Sequence, residues 1–171
     1  MAINIRNSPI FVDDGIVSEE DIAEGANGEN LPSGEVFLLP NLKGTNGRVV
    51  FDLAFHKGQK IENLGIEFRD GRAIPMGAES GFELFENVLA SASGDKDFLA
   101  EFGLGLNPEI KEAIGFSLLD EKMLGTVHLA LGDNLALGGR LDSDLHWDLL
   151  ILRPTVVAEG VTLIVDGTVA V

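Results

Sequence analysis

Whatever chemistry this chain performs must rest on imidazoles and carboxylates. It has three histidines, 28 Asp and Glu residues against 12 Lys and Arg, and no cysteine or tyrosine. The absence of cysteine excludes disulfides, thiolate metal sites and cysteine nucleophiles. His146-Trp147-Asp148 sets an imidazole and a carboxylate two residues apart, and on a strand side chains at that spacing share a face. His128 lies in the apolar stretch Thr126 to Leu131, where a buried ring requires a hydrogen bond or a ligand. His56 stands before Lys57-Gly58 at a turn and is expected to be exposed. Spacing alone leaves two readings of His146 and Asp148, a hydrogen-bonded pair on a sheet face or a pair of metal ligands. His128 is open in the same way, between a satisfied core histidine and a ligand.

The elements that would position these residues are mostly strands. The sequence expects strands at 35–39, 48–55, 126–131 and 146–152, and a hairpin from 61 to 76 about Asp70-Gly71, a dipeptide suited to positive φ. A closing hairpin turns at Asp166-Gly167. Asn41 to Gly47 is rich in turn formers, and Pro154 ends a strand or marks an edge. Phe82, Phe85, Val88 and Leu89 make a helical stripe. Asp95 is expected to cap a second short helix through Phe102, with Gly103 and Gly105 ending it. The acidic stretch Asp13 to Asp21 reads as an extended arm or a lead-in strand, followed by a turn at Gly25 to Gly28. The expected class is α+β, with a mostly antiparallel sheet and one or two helices at about residues 80–103.

The totals limit the function. A length of 171 residues suits one domain with a sizeable core. A net charge of −16 argues against nucleic acid, which needs clustered Lys and Arg; it serves solubility and leaves carboxylates for cations. Apolar runs such as Leu149 to Leu152 are too short to span a bilayer. The first six residues lack the pattern of a signal peptide, so a cytoplasmic protein without membrane partners is expected.

Four segments carry a resemblance. Leu31-Pro32-Ser33-Gly34-Glu35-Val36-Phe37, Leu119 to Gly132 (LDEKMLGTVHLALG) and Leu145-His146-Trp147-Asp148-Leu149 resemble signature segments of the aminopeptidase T and aminopeptidase S family of thermophilic metallo-aminopeptidases. Glu101 to Pro108 (EFGLGLNP) is similar to that family's Gly-Glu-x-Ala-Leu-Gly-x-Asn-Pro pattern. The four occur in the family's order from about residue 30 onward.

The resemblance implies a pair of divalent metals (zinc, cobalt or manganese) and a peptide substrate. It implies Glu35, Glu101, His128, His146 and Asp148 as ligands, with Glu101 either binding metal or handling the proton of the attacking water. Glu121 is either a support for a ligand or a surface residue beside Lys122. The family's tyrosine falls near Leu135, where this chain has none, and the loop from Gly132 to Leu145 looks shortened. The family's N-terminal domain is also absent, so residues 1–30 are expected as a lead-in and 31–171 as the metal-binding domain, with self-association into a homo-oligomer. Two alternatives remain. One is a ring-cleaving dioxygenase of the dihydroxypyridine type, with Fe(II) on His128, His146 and Asp148. The other is a non-catalytic metal-binding or assembly module.

Overall fold

The computed structural model describes residues 1–24 and 30–170, with backbone only for Glu20, Asp21 and Glu24. The turn expected at Gly25 to Gly28 lies outside the described residues. In chain order the strands are β1 (Ala2–Asn4), β2 (Ile10–Asp13), β3 (Glu35–Leu38), β4 (Asn41–His56), β5 (Gln59–Arg69) and β6 (Arg72–Gly77), then β7 (Leu99–Gly105), β8 (Val127–Gly132), β9 (His146–Ile151), β10 (Val156–Ala158), β11 (Val161–Val165) and β12 (Thr168–Val169). Among the described residues three α-helices, α1 (Glu19–Glu24), α2 (Phe82–Ser91) and α3 (Ser117–Asp120), and one 3-10 turn (Leu135–Leu137) fall between them.

One antiparallel sheet of nine strands has the order β2-β3-β7-β8-β9-β4-β5-β6, with β1 added against β4. Strands β10 to β12 form a separate small sheet. The α+β class and strand-rich antiparallel architecture are as expected. Asp70-Gly71 and Asp166-Gly167 both turn at positive φ, as two-residue hairpins require.

The stripe at 82–89 forms α2, with Phe85 and Val88 buried against the sheet. Burying a phenylalanine ring stabilises the fold by about 1.5–3 kcal/mol. The helix expected from Asp95 to Phe102 is not formed, and β7 occupies its second half. Its residues alternate: Phe102 and Leu104 pack on the core, while Glu101, Gly103 and Gly105 take the opposite face. Pairing with β3 and β8 decides for the strand over the expected helix. Asn41 to Gly47 is not a loop either. It extends β4, because β1 pairs with it and Thr45 Oγ1 accepts from Asn4 N at 3.0 Å.

The sheet's two faces divide the labour. Val127, Leu129, Leu131, Trp147 and Leu149 join the apolar core on one face. The other face carries the polar residues of β3, β7, β8 and β9, and the segment following α3 lies across it.

Candidate metal centre

Register places the site. Glu35 pairs with Gly105, Gly103 with His128, and Ala130 with both Glu101 and Asp148, while His146 pairs with Gly132. Paired residues, and residues two apart on a strand, share a face. Glu35, Glu101, His128, His146 and Asp148 therefore project from the same side of four adjacent strands. Asp13 on β2 pairs with Glu35 and joins them.

Two glycines make the arrangement possible. A Cβ at Gly103 would lie 2.1 Å from His128 Cε1 and Nε2, and one at Gly105 would lie 2.1 Å from the Met123 carbonyl oxygen. The first leaves room for the imidazole against β7. The second lets the 121–126 segment cross the strand. In the sequence this Gly-x-Gly spacing suggested a helix end; its purpose here is close approach.

The side chains form two groups joined by Glu101. Ligand atoms of Glu35, Glu101 and His128 lie within 4.8 Å of one another, close enough for one metal ion, and all three residues are buried. His128 Nε2 is 3.1 Å from Glu101 Oε1 and 3.4 Å from Glu35 Oε2. The other oxygen of Glu101, Oε2, lies 3.7 Å from His146 Nε2, which is 3.6 Å from Asp148 Oδ1. Each imidazole is oriented through its other nitrogen. His128 Nδ1 donates to the Glu121 carbonyl oxygen at 3.2 Å, and His146 Nδ1 donates to that of Asp133 at 2.6 Å. Such bonds to backbone oxygens fix the tautomer of a metal-binding histidine and leave Nε2 for the ion. Ser117 Oγ donates to Asp148 Oδ2 at 2.6 Å.

Protonation follows from the crowding of charge. Burial opposes a charge on His128, yet Glu101, Asp148 and Glu35 outweigh it and push the ring up to about 9. Burial likewise opposes a charge on His146, but Asp148, the Asp133 carbonyl and Glu101 raise it to about 10. Asp148 is held well below the usual carboxylate range, its burial outweighed by His146, then His128 and Ser117. Burial, followed by the charge of Asp148, pushes Glu121 up to about 7, and burial also raises Glu35. Without metal, the imidazole protons do the work of cations among the carboxylates.

Three participants were not evident in the sequence. Asp13 is buried beside Glu35, although nothing distinguishes it within its acidic run. Lys122 is fully buried and binds Glu35 and Glu121, so Glu121 is not the surface residue of one sequence reading. Ser117 opens α3, just before the signature segment that starts at Leu119. His56 also differs from expectation: it is half-buried, with its ring 5.6 Å from that of Trp147. Trp147 stacks on Phe85 and donates to the Phe55 carbonyl oxygen at 2.7 Å, on the core face away from the ligands. A cavity of about 240 Å³ adjoins His146 and Asp148, lined also by Phe55, His56 and Ser117.

Known proteins resemble this chain in sequence and in fold. Residues 3–167 match the family model described as thermophilic metalloprotease (M29). Aminopeptidase T of Thermus aquaticus is 33% identical over 158 residues, which is 81% of this chain and 37% of that protein. The chain thus spans a little over a third of the length of the curated relatives it matches, 36–37%. Among solved structures, AmpT from Thermus thermophilus superposes with a TM-score of 0.60 at 25% identity, covering 71% of this chain and 34% of that one. The 2,5-dihydroxypyridine dioxygenase of Pseudomonas putida KT2440 superposes with a TM-score of 0.74 over 95% of this chain and 49% of that one; its 16% identity shows a shared fold. With the match running from residue 3 to residue 167, the chain belongs to the thermophilic metalloprotease family, M29.

Proposed function

We propose that the chain carries the metal centre of an aminopeptidase-type hydrolase, with two divalent ions and Glu101 between them. One observation carries the reading: the two oxygens of Glu101 face two different imidazoles, His128 and His146. Glu35, Glu101 and His128 would hold one ion, and Glu101, His146 and Asp148 the other. The residues fit such a pair. Glu35 Oε2 is buried without a hydrogen-bond partner among the described residues, and such an atom is a ligand in waiting. Mixed imidazole and carboxylate donors suit zinc, cobalt or manganese better than calcium or magnesium.

The bound ions would lower the pKa of a shared water and polarise the scissile carbonyl. The protein's own groups do the rest. The backbone carbonyls of Glu121 and Asp133 hold both rings in place. Among the described residues Glu101 is the carboxylate in contact with both His128 and His146, so we assign it the bridge and, with one oxygen released, acceptance of the water's proton. The cavity beside His146 receives the peptide's N-terminal residue. In this reading 31–171 is the metal-binding unit, and the lead-in 1–30 adds Asp13 to it. Exposed Ile10, Val12 and Val157 support self-association. Among the described residues no helix is long and apolar enough to cross a membrane, and a cytoplasmic site of action fits the reading.

The test is release of free amino acid from short peptides by metal-loaded protein, before and after chelation, beside His146→Ala. Release that chelator and mutation both abolish supports the proposal; no release at full metal occupancy contradicts it. The shared fold with the dioxygenase favours a second reading, one Fe(II) on His128, His146 and Asp148. Against it, His128 faces Glu35 and Glu101, carboxylates a facial triad does not need.

A further inference from the structure

The site already contains one cation of its own. Lys122 has no exposed surface, and an ammonium group offers three donors and no acceptor. Three carboxylates surround it: Glu121 Oε1 at 2.6 Å, Glu35 Oε1 at 2.8 Å and Asp13 Oδ2 at 3.4 Å. They come from three stretches far apart in sequence, β2, β3 and the turn after α3. Neither oxygen of buried Asp13 has a hydrogen-bond partner among the described residues. No imidazole enters this cage, because His128 addresses the other oxygen of Glu35.

Carboxylates gathered in a buried space repel one another unless a cation sits among them. An all-oxygen cage is the coordination chemistry of a hard divalent ion such as calcium or magnesium. We infer that Lys122 is a resident cation filling an oxygen-only ion position formed by Asp13, Glu35 and Glu121. Its ammonium keeps an additional metal out and confines exchangeable ions to the imidazole-containing groups. By taking Oε1 of Glu35, it also leaves Oε2 as that residue's single ligand atom. This last part rests on the metal reading of Glu35 proposed above.

Two substitutions separate charge from space. Lys122→Ala removes the ammonium and opens the cage, whereas Lys122→Met removes the ammonium and fills the cage with an apolar chain. Each variant and the wild type would be dialysed against manganese and assayed for bound metal, then melted without added cation, with calcium and with manganese. The Ala variant is expected to bind about one ion per chain more than wild type, as an oxygen cage for a hard cation should. Its melting midpoint should rise with calcium or manganese. The Met variant should gain no ion, and calcium should not raise its midpoint. An Ala variant with the wild-type ion count and no stabilisation by either cation would overturn the inference. So would an Ala variant that stays unfolded at saturating calcium and manganese. A wild type that takes up no manganese beside an Ala variant that takes one ion would uphold the cage and sink the paired-metal reading.

Discussion

The imidazole of His128 lies in the space that a side chain at Gly103 would fill. The two residues are paired across β7 and β8, and a Cβ at 103 would come within 2.1 Å of the ring. Gly103→Ala must therefore push the ring out of the site or bend the strand. Overpacking of this kind destabilises by about 1–3 kcal/mol. Denaturant unfolding should show that loss, and the bound metal should fall with it. A variant that keeps wild-type stability and metal content would show the ring free to move.

Glu101 is the shared member of both groups, so on the paired-metal proposal its loss should affect both ions together. Glu101→Gln keeps the shape but halves the ligating oxygens. Metal affinity at both positions should weaken by more than about 100-fold, beyond the usual effect of losing an outer-shell partner. Asp148→Asn should instead weaken one ion and spare the other, as calorimetric titration with cobalt would show.

Without metal, pH should act through the two histidines. Their folded values, about 9 for His128 and about 10 for His146, lie above the ordinary 6.5 of an unfolded chain. A raised value contributes stability that is complete below pH 6.5 and is lost as pH rises through 9 to 10. Glu121, raised to about 7, acts in the same direction from a lower starting point. The melting temperature of the metal-free protein should fall between pH 6.5 and 10. If His128 and His146 are ligands, as proposed, metal must displace both imidazole protons, and at pH 7 binding should release about two protons per chain. Calorimetry in buffers of different ionisation enthalpy would count them, and the metal-loaded protein should lose the alkaline fall.

Trp147 sits between two proposed ligands in sequence, but its ring belongs to the core. Trp147→Phe keeps the aromatic contact with Phe85 and removes the hydrogen bond to the Phe55 carbonyl. The expected loss is about 1 kcal/mol, the net contribution of one such bond, with metal content unchanged. Loss of metal without loss of stability would place the indole at the site instead.

Much of this was legible because strand chemistry is local. The i, i+2 spacing of His146 and Asp148 does put both on one face, and Asp70-Gly71 does turn a hairpin. The signature segments brought in Glu35 and Glu101, which no spacing rule connects to His128. What stayed hidden depends on tertiary pairing. Whether 95–102 coils or extends is decided by β3 and β8 on either side of it. Asp13 becomes a buried neighbour of Glu35 only when β2 adds to the sheet edge. Lys122 could not be read as buried, since a lysine beside a glutamate is usually solvated and only three converging carboxylates make burial tolerable.

The most direct test of the paired-metal account is the metal content of protein purified without chelator, wild type beside His146→Ala, by elemental analysis. The account predicts close to two zinc, cobalt or manganese ions per wild-type chain, and fewer in the variant, as a ligand pair shared through Glu101 requires. About one iron per chain would favour the dioxygenase-type site, and no metal even after its addition would contradict both.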